Sequence, residues 1–510
     1  MLPESANIVL AGPPGSGKST VGPLLADELG RPFVDSDALI AAEAGRPISE
    51  IFATDGESHF RELERATLAR LAHQSGQVIA VGGGALLNPL SRTLLQATGT
   101  VVCLCAKPST LFERLAQSES RPLLAGDSSE ARLRLLLKAR REHYQSFSGR
   151  IPTDDLAITS VVSRVREHLT PLELHLPPTR ILLGNGVRFR LPDLLGRRRA
   201  VLVTDDVLSP LWGERLAEHL GLPRIDLPSG ENYKTLQTVR LLYDAFLQHG
   251  LDRNSVVIAL GGGVLGDMVG FAAATFMRGL PWINLPTTLL AMIDASLGGK
   301  TGVDLPQGKN LVGAFHPPEA VLADPELLET LPLVERISGM AEVLKHGLIA
   351  DADLFHTARP DRLTRDLLHR AMQVKIDIVT RDPFEKGERA LLNLGHTLGH
   401  GLESASQFRL RHGEAVAIGL VGEAYLAGQL GLAAPNLYEQ VAARLRRVGL
   451  PTHYSGDIPV GLVRQHMQRD KKSQAGHLRF ALPTEIGHAV YDVAAPNDMI
   501  AETLQFLRRD

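Results

Sequence analysis

The chain has few of the features that mark exported, membrane-spanning or nucleic-acid-binding proteins. Its two cysteines, Cys103 and Cys105, lie two apart in one strand-like run, where they fit as small core residues and form no disulfide framework. The net charge of −3 provides no basic surface for nucleic acid. No uninterrupted apolar stretch approaches the length of a membrane span, and the N-terminus has no basic segment followed by an apolar one. We therefore expect a cytoplasmic enzyme that binds small molecules, with neither a membrane nor a nucleic acid as partner.

The most specific motif is GPPGSGKST, which follows an apolar run and precedes a helix-like stretch. Its glycines allow successive backbone N–H groups to approach a polyphosphate, and the following helix adds its positive N-terminal end. Lys18 can reach the β- and γ-phosphates, and the Ser19 hydroxyl can hold Mg²⁺. The motif predicts that ATP contacts Gly15, Ser16, Gly17, Lys18, Ser19 and Thr20.

The 510 residues are enough for about three domains. Strand-like and helix-like runs alternate to about residue 169 and again from 181 to 330, which is typical of parallel sheets covered by helices. Long helical patterns follow. We predict an α/β protein with a P-loop kinase domain at 1–169, a Pro-rich linker at 170–178, a Rossmann-like NAD-binding domain at 179–330 and a mainly helical metal- and substrate-binding domain at 331–510. We expect the two halves to fold separately when cut at the linker.

Several polar groups around the phosphate loop suit a small anionic alcohol. Asp35 and Asp37 follow a strand, at the edge where α/β ligands bind, and either carboxylate can accept a hydroxyl proton. Guanidinium groups bind carboxylates through two parallel hydrogen bonds, and a glycine triplet permits close approach of a ligand to the backbone. The residues that suggest this site are Arg61, Gly82, Gly83, Gly84, Arg121, Arg140 and Arg141.

In their order along the chain these motifs resemble shikimate kinase. The resemblance rests on GPPGSGKST, FVDSD, GESHFRELE, the glycine triplet and RPLL. It implies that Asp37, Arg61 and the triplet contact shikimate, that Asp35 and Ser19 organise Mg²⁺, and that Arg121 closes over ATP. It also implies an arginine on the substrate carboxylate, either Arg140 or Arg141, and the spacing to Tyr144 favours Arg140.

The second half carries glycine motifs for a dinucleotide and a histidine motif for a metal. GGGVLGD follows the apolar run 256–260 and supplies a tight turn and a helix N-terminus for a pyrophosphate. In NLGHTLGH two imidazoles lie four residues apart, hence on one face of a helix. Three N or O ligands and an open position form a catalytic zinc site. Spacing leaves open which three of Glu342, His396, His400 and His412 are the ligands.

From about residue 181 the chain resembles 3-dehydroquinate synthase, through SGENYKT, ALGGGVLGD, PTTLLAMIDASLGGKTGVD, GKN, GMAEVLKHG and LNLGHTLGH. The resemblance implies that Glu342, His396 and His412 hold the metal. It implies an NAD site formed by Asp205, Ser229, Gly230, Glu231, Asn232, Tyr233, Lys234, Gly263, Val264, Leu265, Gly266, Asp267, Thr287, Thr288, Lys300, Lys309, Leu327, Leu328, Glu329 and Thr330. It implies a substrate site formed by Arg278, Asp294, Lys300, Asn310, Lys345, Lys375, Arg389, Asn393, His400 and either Lys471 or Lys472.

Together the resemblances imply a bifunctional enzyme of the shikimate pathway. The kinase would use ATP with Mg²⁺, Lys18 and Asp37. The synthase would use NAD and Zn²⁺ or Co²⁺, with Lys300, Arg389 and His400 acting on the substrate, and would consume no NAD overall. A homodimer through the synthase half, with Arg278 reaching the partner's site, is also implied. The alternatives are a related sugar-phosphate cyclase in the C-terminal half, or one half that only senses nucleotides.

Overall fold

The computed structural model describes residues 1–116, 129–407, 409–469, 473–474 and 477–509. Five parallel strands form the N-terminal sheet, in the spatial order β2-β3-β1-β4-β5. Every residue of β1 is buried, because helices cover both faces of a parallel sheet. The strands are β1 (Asn7–Ala11), β2 (Phe33–Asp35), β3 (Val78–Ala80), β4 (Gly99–Cys105) and β5 (Arg150–Pro152).

Nine described helices surround this sheet: α1 (Lys18–Leu29), α2 (Ser36–Ala44), α3 (Ile48–Thr54), α4 (Gly56–Ala72), α5 (Pro89–Thr98), α6 (Pro108–Ala116), α7 (Ser129–Ala139), α8 (Arg141–Gln145) and α9 (Ile158–His168). The pattern from 132 to 144 predicts one continuous helix, but the structure breaks it. Arg140 has φ −103° and ψ 12°, outside the helical region, and separates α7 from α8. The break lies at the arginine that the sequence assigns to substrate binding.

Seven strands form the second sheet, in the order β6-β7-β14-β11-β10-β8-β9. All neighbours are parallel except β6 and β7, which are antiparallel. The strands are β6 (Leu172–Leu176), β7 (Thr179–Leu183), β8 (Ala200–Asp205), β9 (Arg224–Leu227), β10 (Val256–Gly261), β11 (Trp282–Pro286) and β14 (Ala320–Ala323).

The segment 170–178, which we predicted as a linker without regular structure, consists mostly of strand β6. The sequence LELHL alternates apolar and polar residues, and this period of two places Leu174 and Leu176 in the core while Glu173 and His175 are exposed. The prolines that suggested a loop only flank the strand. The segment therefore joins the second sheet and leaves little free chain between the halves.

The second sheet packs against α10 (Leu191–Leu195), α11 (Glu214–Leu220), α12 (Leu236–Gln248) and α13 (Gly263–Thr275), and the antiparallel hairpin of β12 (Lys300–Leu305) and β13 (Gly308–Phe315) extends from it. The C-terminal part is mainly helical, as predicted: α14 (Leu333–Ala350), α15 (Ala352–Thr357), α16 (Arg365–Arg381), α17 (His396–Ala405), α18 (His412–Gln429), α19 (Leu437–Arg447), α20 (Val460–Arg469) and α21 (Asn497–Leu507). It also has strands: β15 (Tyr454–Ser455), β16 (Ser473–Gln474), β17 (His477–Glu485), β18 (His488–Ala494) and β19 (Arg508–Arg509). No helix in the described part of the chain is long and apolar enough to cross a membrane.

The two halves share a buried junction. Phe189, which follows β7, is 1% exposed and packs into the N-terminal core with Leu2 and Leu169. Helix α5 of the N-terminal half contacts α11 of the second half. The fold class predicted from the sequence is confirmed, but the halves are more closely joined than the sequence suggests.

Candidate active sites

The phosphate loop lies between β1 and α1, and glycines make its path possible. Gly12 has φ +135°, and a Cβ there would lie 2.1 Å from the Leu104 carbonyl oxygen of the neighbouring strand. Lys18 is nearly buried, and its Nζ donates to the Gly12 and Pro13 carbonyls at 2.7 and 3.1 Å. These bonds fold the lysine over its own loop, where its charge faces the space that phosphates would occupy.

A hydroxyl and a carboxylate stand beside this loop. Ser19 Oγ donates to Asp35 Oδ2 at 2.7 Å, and Asp35 Oδ1 accepts from the backbone N–H groups of Asp37 and Ala38 at 3.0 and 3.3 Å. Asp35 thus caps α2 with one oxygen and faces Ser19 with the other. These are oxygen ligands of the kind that Mg²⁺ prefers.

The sequence-predicted shikimate residues converge next to the loop. A Cβ on Gly84 would lie 3.1 Å from an Arg61 nitrogen and 3.2 Å from an Arg140 nitrogen, and one on Gly82 would lie 2.7 Å from Asp37 Oδ1. The glycine triplet therefore leaves room for these side chains. Arg140 is half-buried and adjoins the triplet, whereas Arg141 is exposed, so the geometry favours Arg140.

Glu64 is a residue of this pocket that the sequence reasoning left without a role. Its side chain is buried, and its Oε2 accepts from Arg61 NH1 at 2.7 Å. Burial raises the pKa of the Glu64 carboxyl, and Arg61 opposes that shift. The pair fixes the Arg61 guanidinium at the pocket wall. The spacing of three residues between Arg61 and Glu64 on α4 could have indicated this pair, because residues three apart are neighbours on a helix.

In the second half of the chain, the glycine turn 261–266 leads into α13 beside the buried Lys234. Lys234 Nζ donates to Asp267 Oδ2 and to Asn310 Oδ1, both at 2.7 Å. Burial raises the pKa of the Asp267 carboxyl, and Lys234 opposes that shift. The contacts join the SGENYK loop, the glycine turn and the β13 hairpin, which are three of the segments assigned to NAD. A small cavity opens here, lined by residues that include Gly263, Gly266, Asp267 and Lys300.

The other predicted cofactor residues lie in different environments. Leu327 and Leu328 are buried apolar side chains, so only their backbone can face a cofactor. Thr287 is buried, and Thr330 Oγ1 accepts from Trp212 Nε1 at 2.8 Å. Asp205 ends β8, where it accepts from the backbone N–H groups of residues 207 and 208.

Lys300, Asn393 and Arg389, three of the predicted substrate residues, have oxygen partners within the protein. Lys300 Nζ contacts Glu385 Oε2, and Asn393 Nδ2 donates to Glu385 Oε1 at 3.2 Å. Arg389 is 2% exposed and donates to the Pro383 and Gly298 carbonyls. Glu385, which the sequence reasoning missed, therefore links two predicted substrate residues. Only its place in the charged run RDPFEKGER signals it.

The half-buried Asp294 interacts with two buried lysines, Lys375 and Lys345. Lys375 Nζ donates to Asp294 Oδ1 at 2.5 Å and to its backbone oxygen at 2.6 Å. Lys345 lies 2.5 Å from Glu342 Oε2 and donates to the Leu392 carbonyl at 2.9 Å. Although burial alone would raise the pKa of Asp294, Lys375 and Lys345 hold it far below the ordinary value.

Three potential metal ligands meet where α14, α17 and α18 come together. The ligand atoms of Glu342, His396 and His412 lie within 4.8 Å of one another. Glu342 Oε1 is 3.5 Å from Nε2 of each imidazole. His400, Glu403 and His412 satisfy the same distance limit. This second set combines His400 and His412, which the sequence left open as ligands, with Glu403, which it did not name.

Electrostatics distinguish the three residues of the first set. Burial would raise the pKa of Glu342, but Lys345 and the two imidazoles hold it well below the usual value. Burial also lowers the pKa of His396 well below its usual value, so this imidazole is neutral. For His412, burial lowers the pKa, but the neighbouring carboxylates of Glu342 and Glu403 outweigh this and raise it to about 9.

The first set suits a divalent cation. Among the described residues, Glu342 Oε1 has no hydrogen-bond partner although it is fully buried, and it points at two imidazole nitrogens. A buried carboxylate oxygen without a partner is costly, and a cation would satisfy it. One carboxylate and two imidazoles are ligands that Zn²⁺ and Co²⁺ both accept.

Glu403 supports this cluster and was also missed by the sequence reasoning. Its Oε2 lies 3.4 Å from His412 Nδ1, and its Oε1 accepts from Lys309 Nζ at 2.8 Å. Lys309 also contacts Glu231 at 3.0 Å. A chain of charges thus connects the SGENYK loop with the metal cluster. In the sequence, the only indication of this role was the position of Glu403 one helical turn after His400 on α17.

Two predicted site residues, Arg121 and Lys471 with its alternative Lys472, lie outside the described residues. Arg278 is exposed at the end of a turn in which it and Met277 have positive φ angles of 68° and 49°.

Known families match each half of the chain. Residues 14–170 match the family model of shikimate kinase, 224–338 that of the 3-dehydroquinate synthase N-terminal domain, and 339–473 that of its C-terminal domain. The 3-dehydroquinate synthase of a Cyanothece species is 46% identical over 368 residues, which cover 67% of this chain and 100% of that protein. The synthase of a Synechococcus species is 44% identical over 341 residues, covering 64% of this chain and 93% of that protein.

Solved structures are similar to the second half. A 2-epi-5-epi-valiolone synthase from Streptomyces hygroscopicus, with NAD⁺ and Zn²⁺ bound, has a TM-score of 0.60 and 31% identity, and covers 66% of this chain and 98% of that one. A 2-deoxy-scyllo-inosose synthase complexed with carbaglucose-6-phosphate, NAD⁺ and Co²⁺ has a TM-score of 0.60 and 25% identity, and covers 66% of this chain and 99% of that one.

Fold and sites together define a P-loop kinase fused to a cyclase with a dinucleotide-type glycine turn and a carboxylate–histidine cluster. The phosphate loop lies in the N-terminal half of the chain, and the dinucleotide-type glycine turn and the cluster lie in the C-terminal half. The chain belongs to the 3-dehydroquinate synthase family, and its N-terminal domain is a shikimate kinase domain. The resemblances drawn from the sequence are confirmed.

Proposed function

We propose that the protein catalyses two steps of the shikimate pathway. The N-terminal domain phosphorylates shikimate with ATP, and the C-terminal half converts 3-deoxy-D-arabino-heptulosonate 7-phosphate to 3-dehydroquinate with release of phosphate. The observation that carries the second activity is the buried cluster of Glu342, His396 and His412 beside a glycine turn and a group of lysines and arginines.

In the kinase, side chains of the pocket position the two reactants. Arg61, fixed by Glu64, and Arg140 bind the shikimate carboxylate through guanidinium groups. Asp37 accepts the proton of the attacking hydroxyl. Lys18 leaves the loop carbonyls to bind the β- and γ-phosphates. Ser19 and Asp35 would hold Mg²⁺, which would supply positive charge beside the transferred phosphoryl group.

In the synthase, NAD would bind along the glycine turn at Gly263–Asp267, the SGENYK loop, Thr287, Thr288 and the turn at Leu327–Thr330. Lys300, Asn310, Lys375, Arg389, Asn393 and His400 would surround the heptulosonate phosphate. Bound NAD supplies a reversible hydride acceptor, and Zn²⁺ or Co²⁺ a Lewis acid. The cations stabilise the charge on the departing phosphate, and the buried Asp294 orients Lys375. Lys345 sits beneath Glu342 and holds that carboxylate in its charged form.

The metal ligands proposed are Glu342, His396 and His412, and not the set that includes His400. In the second set Glu403 already bonds Lys309 and His412, whereas Glu342 Oε1 faces only the two imidazoles. His400 would then contact the substrate. Glu403 contacts His412 Nδ1, the ring nitrogen that does not face Glu342, and so orients the imidazole, as carboxylates orient metal-binding histidines in other proteins.

The full chain tests both activities in one preparation. ATP-dependent phosphorylation of shikimate should proceed in the absence of NAD, and phosphate release from the heptulosonate phosphate should proceed in the absence of ATP. NAD should be required in catalytic amount, with many phosphate ions released per NAD and no net absorbance from NADH. NADH formed in proportion to phosphate would contradict a cyclising synthase and indicate a metal-dependent dehydrogenase.

A second candidate is a synthase acting on another sugar phosphate, which the two structural neighbours favour by their names. The distinguishing measurement compares the heptulosonate phosphate, which has a carboxylate, with a heptulose phosphate that lacks it. We expect a kcat/KM higher by at least about tenfold, or about 1.4 kcal/mol, for the carboxylate substrate. Preference for the substrate without the carboxylate would support the second candidate.

We also propose that the protein forms a homodimer through its synthase half and works in the cytoplasm. Two free cysteines fit a reducing compartment. The exposed Arg278, held in a left-handed turn, would reach the partner's substrate site. Mixing an Arg278→Ala protein with a Lys300→Ala protein should restore some activity after subunit exchange, because one site then has both residues intact. No recovery after proven exchange would contradict a shared site.

A further inference from the structure

A short acidic turn at the domain junction connects the two functional halves. It runs from Asp324 through the 3₁₀ turn Pro325–Thr330, between β14 and α14, and it contains the proposed NAD contacts 327–330. The turn carries three carboxylates, those of Asp324, Glu326 and Glu329. The Asp324 and Glu326 side chains are fully buried, and that of Glu329 is 4% exposed. Buried carboxylates need hydrogen-bond donors, and here many of the donors belong to the kinase.

Among the described residues, the hydrogen-bond donors to the Glu329 side chain all belong to the kinase domain. Its Oε1 accepts from the Ser148 backbone N–H at 2.6 Å and from Ser148 Oγ at 2.7 Å. Its Oε2 accepts from Gln96 Nε2 at 2.7 Å and from Arg92 NH2 at 2.5 Å. Four donors on two kinase segments therefore fix one carboxylate of the synthase.

Glu326 makes the same kind of contact one turn earlier. Its Oε1 accepts from Thr100 Oγ1 at 2.5 Å and from the Val101 N–H at 2.8 Å, both on β4 of the kinase sheet. Arg188 lies 2.8 Å from Glu326 Oε2 and donates to the Gly99 carbonyl at 3.1 Å. The turn is therefore attached to the kinase at both of its glutamates.

The kinase donors are themselves held rigidly. Arg92 NH1 donates to Ser146 Oγ at 2.7 Å, and its guanidinium lies 4.1 Å from the centroid of the Phe147 ring. These contacts restrict the long Arg92 side chain to the conformation in which it bonds Glu329. On the synthase side, Trp212 donates to Thr330 Oγ1 and Arg336 NH2 donates to the Glu329 carbonyl at 2.9 Å.

We propose that Arg92 and Gln96, both on kinase helix α5, are positioning residues for the NAD site of the synthase. By holding the Glu329 side chain, they fix the backbone of 327–330 in the conformation that meets the cofactor, and the kinase domain thereby forms part of the synthase. The inference rests on the proposed function, specifically on the assignment of 327–330 to NAD. Neither residue touches the proposed cofactor or either substrate.

The test measures NAD affinity of the full chain by isothermal titration and by quenching of tryptophan fluorescence. Arg92→Met removes the charged donor, and Gln96→Met is a milder change that removes only one bond to Glu329. The matched control is Arg70→Met, which breaks an exposed pair with Glu43 within the kinase. Both junction variants should raise the Kd of NAD, by roughly three- to thirtyfold for Arg92→Met, while the control stays within about twofold of the unmodified protein.

Kinetics separate positioning from general damage. In the junction variants the KM for NAD should rise, while kcat of the synthase at saturating NAD stays within about twofold, because bound NAD selects the same turn conformation. Arg92→Lys should recover part of the affinity, since it keeps the charge near Glu329. An unchanged NAD Kd in both Arg92→Met and Gln96→Met would overturn the inference. Failure of the unmodified protein to bind NAD would instead contradict the proposed function.

Discussion

Replacing Arg188 with methionine tests how far the junction determines the stability of the whole protein. The Arg188 side chain is 1% exposed and contacts two buried carboxylates, Asp324 Oδ2 at 2.5 Å and Glu326 Oε2 at 2.8 Å. It also donates to the kinase carbonyls of Gln96 and Gly99 at 2.5 and 3.1 Å. Methionine fills a similar volume without strain but leaves these four acceptors without the guanidinium.

The expected loss follows from the burial of these partners. Removing one member of a buried ion pair costs about 3–5 kcal/mol, because the remaining charge stays in a poorly solvated environment. Two carboxylates remain here, so we expect a loss near the upper end, about 5 kcal/mol. The matched control is Arg166→Met, which breaks the exposed pair with Glu28 across two kinase helices and should cost only about 0.2–1 kcal/mol.

Urea unfolding followed by tryptophan fluorescence measures this difference. The chain has two tryptophans, Trp212 and Trp282, both in the synthase half, and the Arg188 guanidinium lies 5.4 Å from the Trp212 ring centroid. The synthase signal should therefore report loss of a contact with the kinase. The change in urea midpoint multiplied by the slope of the unfolding free energy against urea concentration gives the loss of stability. A loss in Arg188→Met no larger than that in the control, or below about 1 kcal/mol, would contradict the proposed role of Arg188.

The same variant should show a defined pH dependence. Burial raises the pKa of Glu326 from 4.5 to about 7, and Arg188 opposes that shift. A carboxyl with a raised folded-state pKa stabilises the fold fully below its unfolded value of 4.5, and this contribution is lost as the pH rises through 7. Without Arg188, ionised Glu326 costs more, so the loss in the variant should be larger at pH 8 than at pH 5. An equal loss at both values would contradict this role of Glu326.

Three further outcomes follow from the two sites. Lys18→Ala should abolish shikimate phosphorylation, because the phosphates lose their cation, and should leave phosphate release by the synthase intact; a fall of less than about tenfold in kinase turnover would contradict its role. His412→Ala should lose both synthase turnover and bound metal, whereas His400→Ala should lose turnover but retain the metal, so stoichiometric metal loss in His400→Ala would reverse the ligand assignment. Glu403→Gln should weaken metal affinity by about 10- to 100-fold in a competitive chelator titration with kinase kinetics unchanged, and unaltered affinity would remove Glu403 from the support of the metal site.

Some of this protein could be predicted from the sequence because the information is local. The phosphate loop needs glycines and a lysine within nine residues, and the structure gives Gly12, Gly15 and Gly17 the positive φ angles that such a loop requires. The i and i+4 spacing of His396 and His400 likewise fixes their common helix α17. Family resemblance added roles to residues that spacing alone could not rank.

Local reasoning failed where burial or context changed the interpretation of a pattern. The flanking prolines suggested a linker at 170–178, although the alternating leucines of β6 are the stronger signal once a sheet edge is available to receive them. The helix pattern at 132–144 could not reveal the break at Arg140, because periodicity does not record where a side chain must turn toward a pocket.

The remaining features depend on tertiary structure alone. Glu342 and His412 are far apart in sequence, and only the packing of α14 against α18 brings their ligand atoms within 4.8 Å. Arg92 and Glu329 are separated by 237 residues and meet across a junction between two domains. Residue types and short spacings determine which backbone conformations and chemical groups are present. The folding of distant segments into one core determines which groups become neighbours, and no local pattern contains that information.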